Sequence, residues 1–370
     1  MQNVIGLMSG TSLDGVDAAL LQTDGVRVGY AGAALTHGYD DAMRACLRRA
    51  LVEAAQTEAN VATPAIAEAE TRLTDAHATA VADLLEKAGL SPEDVALIGF
   101  HGQTVLHRPA ERRTWQIGDG QGLADATGID VVADFRKADV AAGGEGAPLV
   151  PLYHAALVQS CRDLTLPVAV VNIGGVANVT YVGEKTGAEG AILAFDTGPG
   201  NAPIDDWAKR HTGQPVDKDG ALAAAGVVDN AVLDQMLAAP FFDRVPPKSL
   251  DRFDFTANRV AGLSPADGAA TLTAFTAAAI AAAARHFPAP PTVWIICGGG
   301  RHNPVLMQEL VSRLPVPVLP AEGFGWRGDA LEAEAFAFLA ARSVRGLPLS
   351  LPGTTGVATP QTGGRLFRHS

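Results

Sequence analysis

The sequence has few cysteines, few aromatic residues and a deficit of positive charge. Its three cysteines, Cys46, Cys161 and Cys297, lie far apart and form no C-x-x-C pair. Neither a disulfide framework nor a structural zinc site is therefore supported. Lys and Arg together number 28 against 40 for Asp and Glu, which gives a net charge of −12. Because nucleic acids and anionic membranes bind clustered positive charge, we expect neither as a partner.

The sequence also lacks a long hydrophobic run. The longest apolar stretch, Thr271 to Ala284, is mostly alanine and too short to span a bilayer. No charged-then-apolar leader precedes the strand that begins at Val4, so we expect a cytoplasmic protein. A chain of 370 residues with 48% hydrophobic residues exceeds the usual size of one core, which predicts two lobes.

Short apolar strands alternate with amphipathic or alanine-rich helices, which predicts an α/β fold. The chain opens with two apolar strands joined by a glycine-rich turn, over residues 4–21, and a third strand follows at 26–35. The same order recurs over residues 168–182, followed by a strand at 191–195. This repeat indicates two homologous lobes that each present a glycine hairpin, with chance similarity as the alternative.

Further elements follow from the periodicity of apolar residues. A strand at 95–100 is expected to end at His101, and the glycine-rich segment 136–148 is expected to be an exposed functional loop. Other strands are predicted at 131–135, from 294 into the turn 298–300, and at 316–319. Helices are predicted at 41–54, 64–88, 121–127, 151–161, 202–210, 220–225, 230–237, 266–285, 303–314 and 329–343.

The first glycine-rich turn has the composition of a phosphate-binding element. Between the two strands lies Ser9-Gly10-Thr11-Ser12-Leu13-Asp14-Gly15. Glycine allows a ligand to approach the backbone, and turned N–H groups form a concavity for anions. A carboxylate beside a phosphate is suited to holding Mg²⁺ or its waters, which is the role expected of Asp14. The turn is not a P-loop, since no Gly-Lys-Ser/Thr follows, and a tight hairpin with a polar tip is the alternative.

Four segments together resemble the phosphate-1, phosphate-2 and adenosine segments of the actin–hexokinase–chaperone ATPase superfamily. They are Gly10–Gly15, Asn172–Asn178, Phe195–Gly200 and Cys297–Asn303. More narrowly, the chain resembles the anhydro-N-acetylmuramic acid kinase family through motifs that span nearly its whole length. These motifs are GLMSGTSLDGVD (6–17), GFHGQTV (99–105), QIGDG (116–120), ADFR (133–136), AGGEGAPLVP (142–151), FDTGPGN (195–201), PPKS (246–249), CGGG (297–300) and GDALEAEAF (328–336).

Two positions depart from the family pattern. Leu250-Asp251 stands where the family usually has Thr-Gly, which puts the shape of one substrate-side loop in doubt. Gly200 takes a position often held by alanine, a minor change.

The resemblance implies two RNase H-like (actin-like ATPase) lobes, with mixed sheets flanked by helices and a nucleotide cleft between them. Lobe I would cover 1–134 and lobe II 135–370, with the C-terminal residues able to pack back on lobe I. The implied reaction is ATP-dependent: the enzyme hydrolytically opens 1,6-anhydro-N-acetylmuramic acid and phosphorylates O6. The products are N-acetylmuramic acid 6-phosphate and ADP, in peptidoglycan recycling. The family is dimeric, which implies a homodimer.

The resemblance also implies the catalytic residues. Asp196, at the end of a strand, would be the general base that activates a water, a role that contributes about 10²–10⁴-fold in rate. The alternative is that Asp196 caps the helix after Gly200. Glu332 would orient that water or act as a second acid–base group, and a solvent-facing glutamate is the alternative.

The ligand-binding residues implied by the resemblance fall into two sets. ATP and Mg²⁺ would be bound by Gly10, Thr11, Ser12, Asp14, Gly15, Gly174, Gly175, Asn178, Gly298, Gly299 and Gly300, with Asp14 on the metal directly or through water. The amino sugar would be bound by His101, Gln103, Thr104, Asp119 and Arg136. Arg136 suits the lactyl carboxylate, with a structural ion pair as its alternative. The interval between His101 and His107 does not fit a metal pair, and a backbone-satisfied imidazole is equally compatible with His107.

Two other kinds of function stay open at this point. One keeps the fold but makes the chain an ordinary sugar kinase or a phosphatase. The other is an ATP-switched interaction protein, like the chaperone and actin members of the superfamily.

Overall fold

The computed structural model describes residues 1–10, 12–184, 191–250, 252 and 254–370. Within these ranges the strands are β1 (Gln2–Ser9), β2 (Gly15–Thr23), β3 (Val28–Gly38), β4 (Leu97–Arg108), β5 (Arg113–Ile117), β6 (Val131–Ala133), β7 (Val168–Ile173), β8 (Val176–Val182), β9 (Ile192–Pro199), β10 (Val293–Cys297), β11 (Val318–Pro320) and β12 (Arg365–Phe367). The helices are α1 (Asp41–Gln56), α2 (Pro64–Ala88), α3 (Gly120–Thr127), α4 (Lys137–Ala141), α5 (Pro151–Ser160), α6 (Ala202–Thr212), α7 (Ala221–Ala224), α8 (Asn230–Leu237), α9 (Pro265–Ala282), α10 (Pro304–Arg313), α11 (Leu331–Val344) and α12 (Pro352–Thr355).

The chain forms two compact units. Unit 1 contains Met1–Ser160 and Ala330–Ser370, and unit 2 contains Cys161–Asp329. The sequence placed the lobe boundary between residues 134 and 135, whereas the compact units divide after Ser160. The lobes as functional domains, and the nucleotide cleft expected between them, stay predictions.

Unit 1 is built on a mixed sheet in the order β12-β6-β4-β1-β2-β3, with β5 paired to β4. β1, β2 and β3 are antiparallel, and the β1–β2 register places Met8 opposite Asp17. β4 runs parallel to β1, and β6 runs parallel to β4. The predicted hairpin around residues 9–15 is confirmed by this pairing.

Unit 2 is built on a five-stranded sheet in the order β11-β10-β7-β8-β9. β7, β8 and β9 are antiparallel, and Ile173 lies opposite Ala177 at a tight turn. β10 runs parallel to β7, and β11 runs parallel to β10. The second predicted hairpin is therefore confirmed.

Both units share one strand order when the strands of each are counted in sequence. With β5, the antiparallel partner of β4, left out of the count, three antiparallel strands form a meander, the fourth pairs parallel to the first, and the fifth pairs parallel to the fourth. This 3-2-1-4-5 order with the same directions in both units is the RNase H-like arrangement. It confirms the predicted repeat and the predicted fold class, and it argues against chance similarity of the two hairpins.

Local sequence signals explain the helix boundaries. The Thr63 side chain accepts a hydrogen bond from the Ile66 N–H, Pro64 occupies the first turn, and Gly89 ends α2 in a left-handed conformation. α9 is apolar all round because nearly all of it is buried. With the 3₁₀ turn that follows, Pro265–His286 has the length and composition of a membrane-spanning helix among the described residues, but 72% of its most apolar window is buried inside the protein.

α11 packs directly on the central strands of unit 1. A Cβ atom at Gly6 would clash with the Ala333 carbonyl, and one at Gly99 would clash with the Phe336 carbonyl. The helix can approach β1 and β4 this closely only because both positions are glycine. This contact fixes the beginning of α11, and hence Glu332, beside the same strands.

Two predictions about local structure are wrong. β4 does not end at His101 but continues to Arg108, because β5 pairs with its second half. The backbone of β4 is irregular at Gly102, whose φ of +69° suits glycine. The segment 136–148 is not a loop exposed throughout: it contains α4, and Asp139, Gly144 and Gly146 are buried, whereas residues 141–143 are exposed.

Candidate functional site

The first glycine bend lies between β1 and β2 in unit 1. The Leu13 N–H donates to the Gly10 carbonyl at 3.2 Å, which closes the turn. The Ser9 hydroxyl donates to the Gly102 carbonyl at 3.0 Å and ties the bend to β4. Ser12 and Asp14 are exposed, whereas Gly15 is buried. Thr11, predicted to bind nucleotide, lies outside the described residues.

The bend fits a hydrated Mg²⁺ and a phosphate by two observations. The exposed Asp14 carboxylate makes no hydrogen bond to any residue that the structure describes, so both oxygens can face the waters of a cation. A Cβ atom added at Gly10 would meet its nearest neighbour, the Ser12 hydroxyl, at 3.7 Å. Internal packing therefore does not require glycine there, and the open backbone suits a ligand.

The predicted sugar-binding residues of β4 lie next to this bend. The Gln103 Nε2 donates to the Gly10 carbonyl at 3.2 Å, while its Oε1 is buried without a hydrogen-bond partner among the described residues. The Thr104 hydroxyl accepts from the Gln116 Nε2 at 3.2 Å. His101 is buried against the ring of Phe336, 4.6 Å away between centroids. The phosphate bend and the expected sugar contacts are thus neighbours in unit 1.

Arg136 extends this group of residues. Its Nε donates to the His101 Nε2 at 3.1 Å, and its Nη1 donates to the Gly146 carbonyl at 2.6 Å. Burial lowers the pKa of Arg136 to about 10, while Glu332 and Asp139 oppose this shift. Within the described residues no carboxylate lies within 4.0 Å of its guanidinium. The ion-pair alternative is therefore not what the structure has, and Nη2 keeps hydrogen-bonding capacity for an anion.

A buried carboxylate holds the segment that contacts Arg136. Asp139 Oδ1 accepts from the Gly146 N–H at 2.6 Å, and Oδ2 accepts from the hydroxyls of Ser350 and Thr355, the latter at 2.6 Å. The Glu145 N–H donates to the Thr355 carbonyl at 2.7 Å. The C-terminal segment thereby fixes the Gly146 carbonyl where the Arg136 guanidinium uses it.

His107 is part of this support. Its imidazole contacts a backbone carbonyl, as in the structural alternative for this residue. Its Nε2 lies 2.8 Å from the Glu145 carbonyl and its Nδ1 lies 3.0 Å from the Thr114 hydroxyl. Both ring nitrogens are therefore occupied. Among the described residues no group of three His, Cys, Asp or Glu side chains could hold a metal ion.

Glu332 lies in the first turn of α11 with an exposed side chain. The surrounding protein atoms still reduce its hydration, and together with the Asp17 carboxylate they raise its pKa, while Arg136 lowers it. The Asp17 carboxylate itself accepts from the Thr36 hydroxyl at 2.6 Å. Glu332 is thus accessible, in the field of Arg136, and more easily protonated than an ordinary glutamate.

Asp119 is the predicted sugar contact with a clear structural task. Its Oδ1 accepts from the N–H groups of Gln121 and Gly122, both at 3.0 Å, and so caps α3. The Asp119 side chain is exposed at this helix start. The sequence assigned it to the sugar, and that role stays a prediction.

In unit 2 a row of polar residues crosses the sheet. Asn172 on β7 lies opposite Asn178 on β8, and Asn178 lies opposite Asp196 on β9. All three are partly buried among apolar neighbours. Because residues paired across strands share a face, the predicted phosphate residue Asn178 and the predicted base Asp196 lie side by side.

The backbone around Asp196 fixes its carboxylate. Its N–H donates to the Lys248 carbonyl at 2.9 Å, and its Oδ2 accepts from the Leu250 N–H at 2.8 Å. The N-cap position of α6 belongs to Asn201, so Asp196 is not the capping residue of the alternative interpretation. Leu250 takes part in this support although it departs from the family pattern; Asp251 lies outside the described residues.

The second glycine bend and the adenosine segment meet at one edge of the unit 2 sheet. The Gly200 N–H donates to the Gly175 carbonyl at 2.9 Å, and the Asn201 N–H donates to the Gly174 carbonyl at 2.7 Å. A Cβ atom at Gly298 would clash with the Asn172 side chain. The structure therefore brings together every predicted unit 2 residue: Asn178, Asp196, Gly174, Gly175, Gly298, Gly299 and Gly300.

The glycines at this edge divide into two kinds. Gly298 and Gly300 are tightly enclosed, since a Cβ atom there would overlap Asn172 and Ile173. Gly174, Gly175 and Gly299 are open, with the nearest atoms to an added Cβ at 3.6, 3.6 and 3.7 Å. The fold explains the first kind, whereas the open backbone of the second kind leaves space for a ligand to approach.

Sequence reasoning missed the residues that support the site. Arg301, with 3% of its side chain exposed, donates to the Gly298 carbonyl at 2.8 Å and pairs with Asp329 at 2.7 Å and Glu322 at 2.8 Å. It follows the glycine triplet directly, which was the available signal. Asp139 and Asn201 were also missed, because they have hydrogen-bond partners that are distant in sequence. Lys248 was missed because its partners are backbone carbonyls, which no residue type reveals.

Comparisons with known proteins identify the family of this chain. The family model described as anhydro-N-acetylmuramic acid kinase matches residues 2–369. A protein of that name from Rhizorhabdus wittichii is 54% identical over 98% of this chain and 98% of its own length. Another so named, from Rhodopseudomonas palustris, is 56% identical over 100% of both chains.

A third relative of that name, from Acidiphilium cryptum, is 55% identical over 99% of this chain and 98% of its own length. A solved ROK family glucokinase from Streptomyces griseus is more distant, with 15% identity and a TM-score of 0.42 over 92% of this chain and 99% of its own. The match to the family model and the three relatives extend over nearly the whole chain. This chain belongs to the anhydro-N-acetylmuramic acid kinase family.

Proposed function

We propose that this chain is an ATP-dependent kinase that hydrolytically opens 1,6-anhydro-N-acetylmuramic acid and phosphorylates O6. The products are N-acetylmuramic acid 6-phosphate and ADP, in peptidoglycan recycling. The observation that carries the proposal is Asp196, whose carboxylate accepts from the Leu250 N–H and whose backbone N–H donates to the Lys248 carbonyl, next to Asn178 in the unit 2 sheet. Family membership supports the identity of the substrate, and the hydrogen bonds of Asp196 support its role as the base.

The reaction needs one base and one phosphoryl donor. Asp196 takes a proton from a water, and the water oxygen forms a bond to C1 of the sugar. The C1–O6 bond breaks, its electron pair stays on O6, and O6 forms a bond to the γ-phosphorus as the bond to ADP breaks. The Leu250 N–H fixes the orientation of this carboxylate, and a fixed carboxylate is what a general base needs.

Openness of the backbone supports the assignment of Gly10, Gly174, Gly175 and Gly299 to the nucleotide, and family membership supplies the other residues of this set. Gly10, Ser12 and Gly15 in unit 1, and Gly174, Gly175 and Asn178 in unit 2, bind the phosphates, and Gly298, Gly299 and Gly300 approach the adenosine. Thr11 joins the first set by sequence alone. Asp14 holds Mg²⁺ directly or through water, and Mg²⁺ neutralises charge on the β- and γ-phosphates when bound.

The sugar residues are assigned to unit 1. Arg136 has unsatisfied hydrogen-bonding capacity and no ion-pair partner among the described residues, which suits the lactyl carboxylate. His101, Gln103, Thr104 and Asp119 provide further polar contacts. Glu332, with its raised pKa, orients the water or donates a proton.

The cellular setting belongs to the same proposal. The chain acts in the cytoplasm as a homodimer, with no nucleic-acid or membrane partner. The net charge of −12 supports the absence of a polyanionic partner.

An isotope experiment tests the reaction. In ¹⁸O water with ATP and the anhydro sugar, label is expected at C1 and not in the phosphate, as read by mass spectrometry of the product. Free N-acetylmuramic acid is the matched substrate, because an ordinary sugar kinase would prefer it. Label in the phosphate, or preference for the open sugar, contradicts the proposal.

A further inference from the structure

The Pro246-Pro247-Lys248-Ser249 motif has no role in the reaction as described so far. Lys248 is nevertheless 4% exposed, so its ammonium has lost nearly all contact with water. Burial of an ammonium is costly, and an apolar residue of similar length would fill the same space without that cost. We therefore expect the buried ammonium to make interactions that an apolar side chain could not make.

The ammonium of Lys248 is directed at a neighbouring turn. Its Nζ donates to the carbonyls of Phe241 and Phe242 at 3.2 and 3.3 Å, and it lies 4.5 Å from the centroid of the Phe241 ring. Both carbonyls belong to the 3₁₀ turn Pro240–Asp243. Among the residues described, no carboxylate pairs with Lys248 within 4.0 Å. The contacts of its ammonium among these residues are thus carbonyl dipoles and aromatic faces.

The backbone of the same segment holds Asp196 from two sides. The Lys248 carbonyl accepts from the Asp196 N–H, and two residues later the Leu250 N–H donates to Asp196 Oδ2. A shift of this segment would therefore move the carboxylate. The side chain of Lys248 is the part of the segment that anchors it to the Pro240–Asp243 turn.

We infer that Lys248 is a positioning residue for Asp196: its ammonium ties the segment Lys248–Leu250 to the Pro240–Asp243 turn and so holds the Leu250 N–H on the carboxylate. The inference rests on the proposed role of Asp196 as the base. In this role Lys248 acts on the carboxylate through the backbone of its own segment.

The charges around Lys248 make this role depend on pH. Burial is the largest cause that lowers the pKa of Lys248 to about 8, and Arg285 and Arg244 add to it, while Asp243 opposes it. His286 also faces this ammonium, which contributes to lowering the pKa of that histidine. Lys248 is fully protonated well below pH 8, and it loses its charge as the pH rises through about 8. Loss of the charge weakens the contacts to the two carbonyls and the ring.

The test measures kcat and KM for the wild type, K248M, K248R and K209M, with MgATP and the anhydro sugar from pH 6 to 9.5. Lys209 is exposed on α6 and is the matched control. K248M is expected to lower kcat about 10- to 100-fold with the KM for ATP within about twofold of the wild type. The wild-type kcat is expected to fall above pH 8, and K248R is expected to restore much of the kcat at pH 7 and to lose that alkaline fall.

The outcomes separate the inference from the proposed function. A wild type without turnover on the anhydro sugar contradicts the proposed function itself. An active wild type with K248M at the wild-type kcat, or with a raised KM for ATP and unchanged kcat, overturns the positioning role. If K248M does not fold, the pH profiles of the wild type and K248R decide, and identical alkaline limbs overturn the inference.

Discussion

The Nε of Arg136 donates a hydrogen bond to the Nε2 of His101 at 3.1 Å. A guanidinium has only donors, so this ring nitrogen is the acceptor and the proton of a neutral imidazole lies on Nδ1. That Nδ1 is buried without a partner among the described residues. Burial and the Arg136 charge hold the pKa of His101 well below its usual range.

His101 is therefore expected to stay neutral, as the Nδ1–H tautomer, at the pH at which an ordinary imidazole becomes protonated. ¹⁵N NMR of histidine-labelled protein measures both the tautomer and the titration. In R136M the pKa of His101 is expected to rise but to stay below 6.5, since burial is the larger cause. An imidazolium signal from His101 at pH 6 in the wild type would contradict this assignment.

Two glycines at the edge of the unit 2 sheet are expected to respond differently to alanine. G298A places a Cβ atom against Asn172 and Ile173 at a φ of +73°, and should cost about 1–3 kcal/mol of unfolding free energy. G174A meets only the Val176 carbonyl, at 3.6 Å, and should leave stability within about 0.5 kcal/mol while raising the KM for ATP several-fold. Urea unfolding and steady-state kinetics measure both. A KM for ATP that G174A leaves unchanged argues against a ligand at this bend.

D196N is expected to retain binding of a non-hydrolysable ATP analogue and to lose at least about 10²-fold in turnover. The amide keeps an oxygen for the Leu250 N–H but no longer takes a proton from water. D234N is the matched control, because Asp234 is exposed on α8. Turnover of D196N equal to that of D234N would remove Asp196 from its proposed role.

The Asp139 support predicts an effect of the C-terminal segment on the sugar. T355V removes a 2.6 Å hydrogen bond to a buried carboxylate and is expected to cost about 1.5–3 kcal/mol of unfolding free energy, whereas T355S keeps the hydroxyl. Because Asp139 also holds Gly146, whose carbonyl binds Arg136, T355V should raise the KM for the sugar more than the KM for ATP. Equal KM values for the sugar in T355V and T355S would contradict the link to Arg136.

The sequence was sufficient for those elements whose determinants are local. Both glycine hairpins, the helix α2 with its Thr63 cap and its terminal Gly89, and the repeat of strands follow from patterns within a few tens of residues. The extension of β4 beyond His101 did not follow, because it depends on pairing with β5. The burial of 136–148 depends on hydroxyls from Ser350 and Thr355, some two hundred residues later.

The residues of the candidate site also fall into those that the sequence identified and those that it did not. Motifs identified the residues proposed to act on ligands, such as Asp14, Asp196 and Arg136, because their chemistry is visible in their type and spacing. The residues that hold them were not identified. Lys248 and Asp139 act through backbone groups that only the folded chain brings to them.

The position of α11 has a consequence for how the protein is made. The helix covers Gly6 and Gly99, yet its residues follow the whole of unit 2 in the chain. During synthesis the central strands of the N-terminal sheet stay uncovered until the ribosome has made α11, which follows Asp329. Unit 2 can therefore finish folding first, although it emerges second.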